Sequence, residues 1–328
     1  MTNPDADSGA TAANVEAFAT CFNQLLVNVE KAVKGKRDHV AMALVCLFAE
    51  GHLLIEDVPG TGKTVLAKAL ACSITGTWSR IQFTPDLLPS DVTGGLVFNQ
   101  TAGRFDLHRG PVFNNVVVAD EINRASPKTQ SALLEVMAER QVTIGNETHQ
   151  APRPFVVLAT QNPVEQAGTY RLPEAQLDRF LMRTSLGYPD EDAEVAVLRS
   201  SGSGPTDVGA ALTLDNVRRM IGVADTVAVQ EQIHRYIVRL ATATRVLPQL
   251  RLGVSTRGSV ALLRSARSLA ASQGREYVKA DDVKTVAPFV MAHRMLLTPE
   301  AELARVVPDD LVRQVLDEVA VPRSVRAA

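Results

Sequence analysis

Residues 52–57 (HLLIED) form an apolar run closed by two acids. Residues 58–64 (VPGTGKT) then bring two glycines within three positions, and residues 65–73 (VLAKALACS) return to apolar residues at helical spacing. No other part of the chain constrains the fold as strongly. A strand that reads as unbroken apolar sequence is buried on both faces, and such strands belong to parallel sheets covered by helices on either side. Four further runs have the same character: 79–83 (SRIQF), 115–120 (NVVVAD), 155–160 (FVVLAT) and 182–186 (MRTSL). With helical patterns between them they predict an α/β core with a parallel five-stranded sheet.

The same reading orders the rest of the chain. Ser126 and Pro127 suit the cap and first position of a helix on which Leu133, Leu134, Met137 and Ala138 recur at helical spacing. Val142 and Ile144 alternate with polar residues before Gly145-Asn146, a hairpin signal. A change of composition at 201–207 (SGSGPTD) marks a loop or boundary, and the sequence beyond it reads as helical throughout. There, Ile233, Tyr236, Ile237 and Leu240 form one expected core stripe, and Val260, Leu263, Ala266 and Ala270 another. Asp281 or Asp282 is expected to cap a further helix, and 308–319 (PDDLVRQVLDEV) to form the last.

Composition excludes several functions. Lys+Arg 34 against Asp+Glu 36 gives a net charge of -2, so no general field draws the chain to nucleic acid or anionic lipid. Cys21, Cys46 and Cys72 are too far apart for a C-x-x-C pair, and their odd number argues against a disulfide framework. The six histidines show no metal-ligand spacing. Residues 1–14 are small and acidic, without signal-peptide character, and are expected to be a disordered tail. The longest apolar run, 40–49 (VAMALVCLFA), is about half of a membrane span and is expected to be a buried helix. A cytoplasmic location and no membrane segment are expected.

Asp57 stands where the G-x-x-x-x-G-K-[ST] spacing asks for its first glycine, yet Gly60 and Gly62 still allow the backbone to curl round an anion. A buried strand before the loop and a helix after it supply the context in which backbone N–H groups and the helix dipole meet phosphates. The candidate nucleotide-binding residues are Asp57, Pro59, Gly60, Thr61, Gly62, Lys63, Thr64 and Val65, with Lys63 placed for the β and γ phosphates and the Thr64 hydroxyl for Mg2+. The third run ends in adjacent carboxylates. Asp120 suits the magnesium shell, through water, and Glu121 can accept a proton from an attacking water. The fourth leads to Asn162, an amide able to donate to a γ-phosphate oxygen and orient that water. An isolated acid pair is commonly a solvated strand end, and Asn-Pro a turn. The succession of three strand ends carries the reading.

Residues 51–64 (GHLLIEDVPGTGKT), 116–144 (VVVADEINRASPKTQSALLEVMAERQVTI), 157–180 (VLATQNPVEQAGTYRLPEAQLDRF) and 253–270 (GVSTRGSVALLRSARSLA) resemble AAA+ ATPases of the MoxR group. The resemblance spans nearly the whole chain from about residue 15, and an aspartate at the first loop position is ordinary for that group. It implies an AAA+ α/β core over 15–187, with β-hairpin insertions, followed by a small all-α lid over 188–328. It further implies hydrolysis of ATP with Mg2+ in a homo-oligomeric ring, expected to be hexameric, with nucleotide held between subunits. Residue by residue, Gly60 to Thr64 match Walker A, Asp120 and Glu121 Walker B, and Asn162 sensor 1. Arg179 matches the arginine finger that reaches a neighbouring subunit, with a surface ion pair to Asp178 or another carboxylate as the plainer reading. Arg257 matches sensor 2, in cis or in trans. Arg124 and Arg171 are weaker interface candidates.

Two segments resemble the branch's insertions. Residues 94–110 (GGLVFNQTAGRFDLHRG) resemble the helix 2 insert, and 141–150 (QVTIGNETHQ) the insertion before sensor 1. A DNA-acting AAA+ motor would present Lys or Arg from such hairpins to phosphates. The second hairpin has neither and the first has only Arg104 and Arg109, so no nucleic-acid partner is expected. The resemblance implies a chaperone that remodels, matures or activates partner complexes, working with a protein that carries a von Willebrand factor A domain on an unknown client. A magnesium-chelatase-like motor subunit, a DNA-acting motor and a nucleotide-gated scaffold are the alternatives.

Overall fold

The structure is a computed structural model that describes residues 10–163, 169–170, 172–200 and 208–322. The boundary segment 201–207, residues 1–9 of the expected tail and Arg171 lie outside the described residues. Within them, 24–180 and 184–218 form one compact unit, while those up to 23, 181–183 and those from 219 form a second.

In chain order the first elements are helices α1 (Ala12–Glu30) and α2 (Arg37–Phe48), strand β1 (Leu53–Glu56), α3 (Lys63–Cys72), β2 (Trp78–Gln82) and α4 (Pro89–Thr93). The hairpin β3 (Gly94–Asn99) and β4 (Arg104–Arg109) follows, then β5 (Val116–Asp120) and α5 (Pro127–Glu139). A second hairpin, β6 (Gln141–Ile144) and β7 (Glu147–Gln150), leads to β8 (Val156–Gln161), α6 (Glu174–Leu177), β9 (Met182–Thr184) and α7 (Glu191–Ser200).

The main sheet has the order β2-β5-β8-β1-β9. Pairing is parallel for β2 with β5, β5 with β8 and β8 with β1, and the registers Gln82↔Asp120 and Glu56↔Gln161 bring the carboxyl ends of four strands to one edge. All five residues of β5 are buried, as the unbroken run Val116 to Ala119 requires of a central strand. One face of the sheet packs through Leu54, Val117, Ala119 and Val157 against Leu133, Leu134 and Met137 of α5. Ser126 caps α5, its hydroxyl accepting from the Thr129 N–H, and Pro127 occupies the first helical position. The apolar run 40–49 lies in α2 and its following residue and is buried from Met42 onward.

Helix α8 (Leu214–Thr226) begins in the first unit and ends in the second, which then holds α9 (Glu231–Arg245), strand β10 (Leu250–Leu252), α10 (Thr256–Ser272), α11 (Ala280–Met291), β11 (Leu296–Leu297), α12 (Pro299–Leu303) and α13 (Pro308–Glu318). β10 and β11 form one short antiparallel ladder in an otherwise helical region, too brief for its period to show in sequence. Ile233, Tyr236, Ile237 and Leu240 are buried as expected. Of the stripe expected on α10, Ala266 and Ala270 are buried, whereas Leu263 is half-buried and Val260 exposed; the core face also takes in Gly258, Ala261, Leu262, Ser265 and Leu269. Small residues carry this face because the packing is close, a Cβ on Gly258 falling 2.5 Å from Val254. Lys279, not Asp281 or Asp282, is the cap of α11. The Asp282 carboxylate sits one turn inside, accepts the Lys279 N–H at 2.7 Å and pairs with Arg275.

Candidate functional site

The loop between β1 and α3 turns on Gly60 and Gly62, at φ of 86° and 89°. A Cβ at either would meet nothing within 4 Å, so backbone conformation rather than crowding selects glycine here. Gly62 occupies the cap position of α3 and offers no side chain, which leaves the first N–H groups of the helix for a ligand. Thr61 is buried and its hydroxyl donates to the Val58 carbonyl at 3.1 Å, whereas Pro59 and Val65 are exposed.

Asp57 fills the first loop position with an anchor. Its carboxylate accepts the Val58 N–H at 2.8 Å, the Gly187 N–H at 2.6 Å and the Ser185 hydroxyl at 3.2 Å, tying the loop to the chain beyond β9. A glycine would make none of these bonds. Lys63 Nζ donates to the carbonyls of Asp57 and Val58, the latter at 2.8 Å, so its ammonium spans the loop from inside.

Thr64 and Asp120 meet at the sheet's carboxyl edge, the hydroxyl lying 3.0 and 3.1 Å from the two carboxylate oxygens. Asp120 is buried and also accepts from Thr160 Oγ1 at 2.6 Å and from Arg80 Nη2 at 2.6 Å. Burial works to raise the Asp120 carboxyl. The hydrogen bonds from Thr160, Arg80 and Thr64 and the Arg80 charge outweigh burial and hold the group below its ordinary range.

Glu121 begins the turn out of β5 in a left-handed conformation, φ 54°. Its N–H donates to Thr160 Oγ1 at 3.0 Å. Its side chain accepts from Gln82 Nε2 at 3.0 Å and pairs with Arg124 Nε at 3.2 Å. Asn162 is buried one residue past β8, and its carbonyl accepts from Asn123 Nδ2 at 3.0 Å. Arg179 donates from Nη1 to the Leu134 carbonyl of α5. Arg257 belongs to the second unit, exposed in the first turn of α10 beyond the Ser255 cap.

The loop and the strand ends at Asp120, Glu121 and Asn162 thus come together on one sheet edge, the usual ligand position of open α/β sheets. Three members of the cluster escape the sequence reading: Arg80, Gln82 and Thr160. The signal for two of them is the polar alternation Arg80-Ile81-Gln82 in a run taken as apolar, since Arg80 and Gln82 share the exposed face of β2.

Residues 52–182 match the family described as "ATPase family associated with various cellular activities (AAA)", and residues 242–315 match the AAA lid domain. The chain is 45% identical to "Uncharacterized protein YeaC" of Bacillus subtilis, over 90% of this chain and 93% of that protein. It is 41% identical to "Chaperone MoxR1" of Mycobacterium tuberculosis, over 92% and 82%. The solved structure of a putative ATPase from Cytophaga hutchinsonii superposes with a TM-score of 0.88 at 37% identity, covering 95% of this chain and 98% of that one. Likeness to magnesium-chelatase subunits is weaker: 28% identity to a subunit of Arabidopsis thaliana, over 56% of this chain. With its five-stranded nucleotide-binding core and helical lid, the chain belongs to the MoxR-type AAA+ ATPases.

Proposed function

We propose that the chain hydrolyses ATP to ADP and phosphate with Mg2+, as a cytoplasmic ring of identical subunits, expected to be hexameric, that remodels partner proteins. The observation that carries the chemistry is the Thr64–Asp120 hydrogen bond with Glu121 at the next position. It places two oxygen donors suited to a hard cation beside a carboxylate on a different backbone turn.

Lys63 and the N–H groups of α3 bind the phosphates. Thr64 would hold the cation directly and Asp120 through water, while Asp57 keeps the loop in register. When bound, the cation would supply charge neutralisation for the phosphates. Glu121 takes the proton from the attacking water, and Asn162 orients that water. Arg179 completes a neighbour's site, and Arg257 serves as sensor 2, in cis or in trans. The division proposed for the chain is a core of 15–187 and a lid of 188–328.

Two observations support remodelling. One relative is named a chaperone. The β3–β4 hairpin also holds Phe98 and Phe105 in contact, with centroids 5.2 Å apart, although the residues are 52% and 63% exposed. Two large apolar side chains kept in solvent suit contact with a protein, whether client or von Willebrand factor A partner. Phosphate release measured against protein concentration, with subunits counted by mass photometry, tests the proposal. Turnover that rises with ring formation supports it, and turnover independent of assembly refutes the shared site.

A further inference from the structure

Arg80 is the cation at Asp120. It reaches Oδ2 through Nη2 at 2.6 Å and Nε at 3.2 Å, while Thr160 holds Oδ1. The two partners differ in exposure, Arg80 at 50% and Asp120 at 6%, so only the arginine has solvent to move into. A buried carboxylate without a partner is costly, and the guanidinium removes that cost while no metal is bound. The guanidinium and a divalent cation held near the same carboxylate repel each other.

We propose that Arg80 is a resident counter-charge for Asp120. It keeps the carboxylate aimed at Thr64 when no divalent cation is present and releases it when the cation arrives. The strength of the Arg80–Asp120 pair thereby sets the metal affinity of the loaded site. The inference rests on the nucleotide-site reading above. It has a second consequence, because Arg80 Nη2 also donates to Gln82 Oε1 at 3.1 Å, and Gln82 turns its amide nitrogen to Glu121. Departure of Arg80 loosens the hold of Gln82 on Glu121, so occupation at one carboxylate is communicated to the other.

The test uses the full chain as wild type, Arg80→Gln and Arg80→Lys, with a non-hydrolysed ATP analogue at saturation. Mn2+ is titrated and its free form read by electron paramagnetic resonance, and analogue binding is measured separately in EDTA. Arg80→Gln is expected to bind Mn2+ roughly three- to tenfold more tightly, a range that allows for the arginine's exposure. Arg80→Lys should fall between, and analogue affinity in EDTA should not change. Equal Mn2+ affinity in all three proteins overturns the inference. Loss of analogue binding in EDTA overturns it too, because Arg80 would then be a phosphate contact. If the wild type binds neither analogue nor Mn2+, the nucleotide-site reading itself fails and the inference falls with it. Should Arg80→Gln not fold, Arg80→Lys carries the comparison.

Discussion

Arg179 donates a hydrogen bond from its guanidinium to the main-chain carbonyl of Leu134, inside α5. If Arg179 serves a neighbouring subunit as proposed, this bond is where it rests on its own. Arg179→Ala removes one hydrogen bond to a carbonyl, which costs about 1 kcal/mol or less. Its expected effect on turnover is far larger, a loss on the order of 10³ in the assembled protein, with ATP affinity kept. Turnover against concentration, with subunit counting, checks this. Full activity in the variant removes Arg179 from the site.

Lys63 bonds carbonyls of its own loop, so without nucleotide its loss is mild. Lys63→Ala should melt within a few degrees of wild type yet gain nothing from ATP. The wild type should gain about 2.7 kcal/mol at a hundredfold excess of ligand over Kd. Thermal melts with and without Mg2+ and ATP decide it. Equal stabilisation of both proteins rules out the phosphate role.

Glu121 occupies a left-handed turn and is held by Gln82 and Arg124, so the substitution must keep length and backbone preference. Glu121→Gln meets both needs and cannot take a proton. It should bind ATP as wild type does and lose about 10² to 10⁴ in rate. Single-turnover phosphate release gives the number, and a normal rate would reassign the general base.

The parts legible in sequence are those whose signal is local. The run Val116 to Ala119 could lie only in a covered sheet, Ser126-Pro127 marked the start of α5, and the loop around Gly60 and Gly62 needed both its neighbours. The parts missed depend on register or close approach. Arg80 and Gln82 meet Asp120 and Glu121 only because β2 lies beside β5 with Gln82 opposite Asp120. On α10 the expectation holds at Ala266 and Ala270 and fails at Val260 and Leu263, which are large and apolar, whereas the buried face there is made mostly of Gly, Ala and Ser with Leu262 and Leu269. Asp57 was readable as a departure from the usual loop spacing, but its anchoring to Gly187 spans 130 positions and leaves no local mark.

Thr160 is fully buried, donates to Asp120 Oδ1 and accepts the Glu121 N–H. Thr160→Val keeps the shape and removes both bonds, leaving a part-buried N–H and a carboxylate short of one donor. A loss of about 1–3 kcal/mol is expected. Mg2+-dependent ATP binding should weaken with it, because the Asp120 carboxylate loses one of the groups that aim it. Urea unfolding and nucleotide titration measure the two effects, and a neutral result in both would make Thr160 a space filler.

Glu50 gives the pH dependence. It lies just beyond α2 in a left-handed conformation, φ 52°, and its buried carboxylate accepts from Arg140 at 2.8 Å and Arg153 at 3.1 Å. Burial alone would raise its pKa; the Arg140 charge and the hydrogen bonds from Arg140 and Arg153 outweigh burial and lower it from the ordinary 4.5. With the folded pKa below the unfolded one, the pair's stability is present above the unfolded value and is lost as pH falls through the folded value. Both arginines are partly exposed, so Glu50→Gln should cost only about 1–3 kcal/mol near neutral pH. The gap to wild type should narrow as pH falls below the ordinary 4.5 and go on shrinking until the native carboxylate is protonated as well. Urea unfolding of the two proteins at about pH 7 and about pH 3 checks this, since the difference between them cancels the acid response of other carboxylates. A gap that stays constant with pH would mean that Glu50 acts through packing, not through its charge.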